Sequence, residues 1–348
     1  MRTPLAIALL YTACSWHPDL DARFACPDDR CPSGYTCLEG RCEPILPDAG
    51  PAPAWWNTAW ATRSRLRIHN RSEQRARAGL PVMIELEFSD VGVPDIDELV
   101  IVYHDGNTWT RLPFYWVYQE RFADVFWFRL PADIPPLSAE DGVWIYAGNP
   151  AAPGAGTEGI SVWEQHDYFD TIGASWAASG DVTSVNNNSV RIGPGGVFRG
   201  QATWPVDYAV DAAIVAPAWT QGVSIGFQRS GDFVDAEPLA RWAHNGTGFV
   251  PELEVGAVDE PRWSGEAVIV ADNRVEVGVD RFADRIRYWL RSKVEAERAF
   301  GGGDDFLEPM QIRLANTGTT AFELAQIRVR RTMNPLPQVT RGALEPRP

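Results

Sequence analysis

From Trp55 onward the chain is broken every few residues by turn signals, and between them stand short runs too brief for a packed helix. SRLRIHN, PVMIELEF, ELVIVYH, PFYWVY, DVFWFRL and GVWIYAG are rich in β-branched and aromatic residues, and several alternate apolar with polar positions. DGN and PADIPP separate some of them, and no window shows the 3.6-residue apolar period of a long helix. This pattern predicts an antiparallel β-sandwich over residues 55–165. A second series follows from Tyr168 to Thr332: SVRIG, YAVDAAIVA, GVSIGFQR, EAVIVAD, VEVGVD, RIRYWLR, MQIRLAN and AFELAQIRVRR. ADN between EAVIV and RVEVGV reads as a hairpin turn, and a Gly-rich GGGDD precedes MQIRL. Two stacked antiparallel sheets in a jelly roll are the economical architecture for residues 166–340. The length of 348 residues agrees with two folded units.

The residues before Trp55 belong to another class. MRTPLAIALLYTACSW has a positive charge at Arg2, a short apolar run and small residues before Cys14, the layout of a secretory signal over residues 1–13. Leu-Tyr-Thr-Ala-Cys resembles the bacterial lipoprotein box, with Tyr11 where that box usually has Leu. The resemblance implies a diacylglyceryl group on Cys14. The other four cysteines, Cys26, Cys31, Cys37 and Cys42, fall within CPDDRCPSGYTCLEGRC, which lacks apolar residues for a core and reads as two disulfides. Three pairings are open, of which the even spacing favours Cys26 with Cys37 and Cys31 with Cys42. Structural zinc sites bring ligands in tighter pairs than these gaps of four, five and four residues. Pairing these four leaves Cys14 as the odd thiol, for which lipidation supplies a chemistry. EPILPDAGPAPA completes the segment 14–54 as an extended tether.

A formal charge of −15 repels phosphate backbones, so nucleic acid is excluded as a partner. Lys293 is the single lysine, and the guanidinium bias of the remaining cations carries no function by itself.

WWNTAWATRSRLRIHN, then GVWIYAGNPAA with Tyr146, Gly148, Asn149 and Pro150, then VWEQHDYFD, resemble a bacterial family, the domain of unknown function numbered 2341, over about residues 55–165. FDTIGASWAASGDVTSVNNNSVRIGPGGVFRG is similar to the start of a concanavalin A-like (laminin-G-like) jelly roll, and IRVRRTMNPLPQVTRG to its closing strand and tail. The cysteine-rich segment resembles those of exported myxobacterial lipoproteins. Together these resemblances imply a protein of the outer membrane or cell surface that binds a sugar or a surface.

Motifs that would carry catalysis are weak. Gly222-Val223-Ser224-Ile225-Gly226 matches G-x-S-x-G, but it sits inside an alternating strand and only His244 follows it. Glycosidases on the concanavalin-like fold carry Glu-x-Asp-x-x-Glu on one strand, whereas the nearest stretch here, Glu252-Leu253-Glu254, lacks the Asp and the second spacing. The five histidines form no paired ligand motif. No cofactor is expected, with calcium left open at Asp232, Asp235, Asp304 and Asp305 in loops. Fifteen tryptophans are many for this length, and most sit in apolar strands. Trp219, Trp242 and Trp263 instead stand beside polar residues, and with Arg241, His244 and Asn245 they are the candidate ligand-binding residues. The expected function is therefore a surface-anchored lipoprotein that binds a glycan or a matrix component and catalyses nothing. The alternatives are an envelope protein-interaction module without a sugar ligand and, last, a glycan-cleaving enzyme.

Overall fold

The computed structural model describes residues 35–38, 41–44, 52–86, 96–117, 124–152, 159–169, 172–185, 188–229, 239–254, 263–290, 293–299 and 307–348. The chain forms two compact units, Met1–Ala54 and Trp55–Pro348. In the first, strands Tyr35–Leu38 and Arg41–Pro44 pair as a hairpin that sets Cys37 opposite Cys42 along the backbone. Cys14, Cys26 and Cys31, and the side chains of Cys37 and Cys42, lie outside what is described.

The second unit is all-β in its architecture, an antiparallel β-sandwich followed by a concanavalin A-like jelly roll. The first sandwich has a five-stranded sheet in the order Gln338–Pro346, Thr62–Asn70, Ser138–Ala147, Leu99–His104 and Trp109–Leu112. Its partner is three-stranded: Pro81–Leu86, Asp124–Arg129 and Phe114–Val117. Strand alternation builds the core between them. Leu66 and Ile68 from one sheet meet Val82, Ile84, Phe126 and Phe128 from the other, while Arg63, Arg65 and Arg67 turn outward.

The jelly roll follows. One sheet runs Val182–Val185, Ser189–Ile192, Phe322–Arg331, Tyr208–Val215, Arg274–Arg281, Arg285–Leu290 and Lys293–Ala299, and Gln165–Asp167 adds to Phe322–Arg331 as its eighth strand. The other is seven-stranded: Trp176–Ser179, Val197–Trp204, Met310–Asn316, Val223–Arg229, Leu239–His244, Phe249–Glu254 and Trp263–Ser264. Val210, Ile214, Val277, Tyr288, Phe198, Ile225, Phe227, Trp242 and Leu314 fill the space between the two sheets.

Two expectations change. Glu266–Val270 is not a hairpin strand: Val268 makes one isolated bridge to Phe249, and Ile269 is exposed, so the β-branched run seen in the sequence has no sheet to join. The tail does not close the jelly roll either. Gln338–Pro346 returns to pair with Thr62–Asn70, from Gln338 opposite His69 to Pro346 opposite Thr62.

The two sandwiches meet through a charged and aromatic layer on the outer face of the eight-stranded sheet. The Arg330 guanidinium bonds Asp211 at 3.3 Å and Asp280 at 3.0 Å and lies 4.9 Å from the Trp127 ring centroid. Arg328 sits over Tyr115 and Trp163 and pairs with Glu276 at 3.6 Å. Buried charges of this kind are tolerated because each has an opposite partner and a polarisable ring against it.

Candidate functional site

The first sandwich covers the eight-stranded sheet, so the seven-stranded sheet presents its outer face on the opposite side of the jelly roll. Register assembles that face from residues far apart in sequence. Arg199 stands opposite Arg313, Arg313 opposite Gly226, Gly226 opposite Arg241, Arg241 opposite Glu252, and Glu252 opposite Ser264. One cross-strand band thus carries three guanidiniums and a carboxylate. Beside it runs a band of small residues, Ala315, Ser224, Ala243 and Val250, and on the other side lie the amides Gln311 and Gln228.

The charged band is recessed. Arg241 donates from Nε to Glu252 Oε2 at 2.8 Å, with side-chain exposures of 25% and 16%. Arg313 donates to Gln228 Oε1, and the Tyr288 hydroxyl, whose pKa burial raises, reaches up from the core to the Glu252 carbonyl oxygen. Gly226 keeps the middle of the band low. A Cβ there would meet the Ala240 carbonyl oxygen at 2.1 Å. In the neighbouring band Ser224 and Ala243 are half-buried while Ala315 and Val250 are buried, so directional donors and acceptors stand beside small side chains, an arrangement suited to a polyhydroxylated ligand whose hydroxyls and CH faces need separate partners.

Of the six residues picked from the sequence, Arg241 alone lies in this band. Trp242 is fully buried, donating from Nε1 to Gly278 O at 2.9 Å and packing edge-on against Tyr288. The expectation that it contacts a ligand is corrected. RWAH reads as a loop edge, but Leu239–His244 is an interior strand whose even positions face the core. Trp263 also turns to the core side, 6.0 Å from Tyr288 and beneath Arg298. Trp219 is half-buried, its Nε1 donating to Asp272 O at 2.8 Å and its ring against Phe249. His244 is buried, which holds its pKa below the usual value, and Nδ1 accepts from the Gly246 amide. Asn245 is exposed and folds its own turn by accepting from the Thr247 and Gly248 amides.

Ser224 stands mid-strand between Ala315 and Ala243, which is not a nucleophile elbow. Asp232, Asp235, Asp304 and Asp305 lie outside the described residues, and among the described residues no three His, Cys, Asp or Glu side chains cluster as metal ligands. Arg199, Arg313, Gln228 and Gln311 escaped sequence reading, because only the strand register makes them neighbours.

No family model and no curated protein matches the chain. Solved structures do. A β-glucanase of Bacillus licheniformis is 11% identical, with a TM-score of 0.38, over 48% of this chain and 97% of that one. A pseudo β-1,3-glucanase of Mycobacterium tuberculosis is 13% identical, with a TM-score of 0.37, over 49% and 99%. An endo-acting O-glycanase from the human gut microbiota is 10% identical, with a TM-score of 0.41, over 49% and 100%. The expectation of a chain that catalyses nothing is corrected on this finding, since a β-glucanase and an O-glycanase are among its structural neighbours. At such identities and scores the likeness assigns this chain no reaction.

Proposed function

We propose that this is a carbohydrate-recognising protein tethered to the outer membrane through a lipid on Cys14, with the outer face of the seven-stranded sheet as its ligand face. The observation that carries the recognition is the band Arg199, Arg313, Arg241 and Glu252, set between small residues and amides. Guanidiniums would bind ring hydroxyls, while Ala243, the half-buried apolar residue of the neighbouring band, would lie under a CH face. A glycan array probed with the full chain tests this. Specific glycans should be retained, and Arg241→Ala or Arg313→Ala should weaken retention roughly tenfold or more. Failure to retain any glycan, with or without calcium, overturns the reading.

A second reading, glycan cleavage, is favoured by the position of Glu252, a carboxylate held by Arg241 in the middle of the ligand face. Glycosidases need two such groups. Glu254 follows two residues along the same strand, with its side chain outside the described set. Release of reducing ends from a polysaccharide panel, abolished by Glu252→Gln with retention intact, would establish it.

The anchor has its own test. Two or three acyl chains at about 0.8 kcal/mol per buried methylene would hold the protein stably. Ser15 after Cys14 accords with outer-membrane sorting. Metabolic palmitate labelling, lost in Cys14→Ser, supports the anchor, and an unlabelled, freely soluble parent rules it out.

A further inference from the structure

A different constellation occupies the outer face of the five-stranded sheet, on the first sandwich. Arg65 stands opposite Trp144, Trp144 opposite Val102, and Val102 opposite Arg111. In the next row His104 stands opposite Trp109, their ring centroids 4.6 Å apart. Trp144 is buried under two guanidiniums, with Arg63 and Arg65 at 4.4 and 4.5 Å from its centroid. Trp109 leans edge-on against Trp144 and Tyr146 and keeps part of its surface open.

The carboxylates nearby are committed elsewhere. Glu345 takes Arg63 at 2.8 Å and Asp141 takes Arg67 at 2.6 Å, while Asp105 accepts from the Asn107 and Thr108 amides. Arg65 and Arg111 have no ion pair among the described residues, and Arg111 is exposed. Their strands are three spacings apart, about 14 Å across the sheet. A ligand with repeated negative charges engages both.

We propose that this row binds an acidic polysaccharide: carboxylates of sugar units spaced along one chain, not of adjacent units, pair with Arg65 and Arg111, and a ring between them stacks on Trp109. Local charge complementarity argues for it: Arg65 and Arg111 stand without an ion pair among the described residues, and on a chain of formal charge −15 only a narrow polyanion that stays on this row avoids the acidic remainder. The aromatic floor selects sugar over other polyanions. An indole packs on the CH face of a pyranose, whereas a phosphate backbone or an anionic bilayer spreads over a wider footprint and meets the acidic remainder of the surface. The site does not depend on the seven-stranded face.

The test is calorimetry of the full chain with polygalacturonate and with its methyl ester, which keeps the sugar and removes the charge. Polygalacturonate should bind, more weakly as salt rises, and the ester should not. Arg65→Gln with Arg111→Gln should weaken binding roughly tenfold, as should Trp109→Ala, while Arg274→Gln, an exposed arginine of the jelly roll, should leave it unchanged. Arg111→Gln alone should weaken it with no change in melting temperature, which removes misfolding as an explanation. Equal binding of the ester, an equal loss with Arg274→Gln, tight binding of double-stranded DNA, or no binding of polygalacturonate overturns the proposal.

Discussion

Asp211 is enclosed between the sandwiches, and burial, reinforced by the neighbouring Asp280, pushes its carboxyl up to about 6 even though Arg330 and Arg328 face it. His166, on the same layer, is moved the other way. Burial and Arg328 lower its pKa to about 4, against Asp167. The signs oppose. Folded Asp211 holds a proton that the unfolded chain has released, so its contribution is present below about pH 4 and is lost as pH rises through 6. Neutral His166 stabilises above about pH 6.5, and that contribution is lost as pH falls through 4. Relative to the parent, Asp211→Asn should therefore lose stability more steeply on acidification from pH 6.5 to 4, and His166→Gln less steeply. Parallel melting curves for all three proteins across that range would refute the assignment. Trp242 gives a second residue-scale contrast. Trp242→Ala should cost roughly 3–5 kcal/mol by denaturant titration, while truncating half-buried Trp219 should cost clearly less.

At the scale of the element, the strands that could be read were those whose own alternation matched a core, such as Thr62–Asn70 and Val223–Arg229. Glu266–Val270 shows why the rule fails. Its β-branched run and the following ADN turn look as strand-like, but the sheet offers Val268 a single bridge, and no local pattern reveals whether a partner edge exists. Lys293–Ala299 fails in reverse. KVEAERA looks solvated, yet it forms the edge of the eight-stranded sheet, its Glu297 bonding Arg285 and Arg287 on the next strand. Apart from Arg241, the proposed ligand face was invisible for a related reason. Arg199, Arg241 and Arg313 share a band only through register, while the tryptophans that drew notice were turned inward by theirs. Gly226 tests the element directly. Gly226→Ala forces a Cβ against the Ala240 carbonyl oxygen, so it should lower stability by roughly 1–3 kcal/mol and weaken glycan retention with it. An unchanged melting temperature would show that the two strands part without cost.

For the whole molecule, the division into two β-series was legible, but the path of the tail was not. Nothing in QVTRGALEP says that its partner lies some 270 residues earlier, at Thr62–Asn70. Arg347 completes the junction by donating its backbone amide to Ala61 O and its guanidinium to Thr58 O. Removing residues 338–348 should therefore destabilise the first sandwich more than the jelly roll. Hydrogen exchange should show protection lost first in Thr62–Asn70, and uniform loss across both sandwiches would contradict this.

A sheet in which Thr62–Asn70 pairs with Gln338–Pro346 cannot be finished until those later residues have been made. Until the ribosome has delivered Pro346, Thr62–Asn70 carries an open edge with unpaired amides and carbonyls, and the jelly roll, whose strands are all earlier, is free to mature first. The half of the unit that is synthesised first is thus the half that is completed last, and in that interval it is the part of the nascent protein most in need of a chaperone.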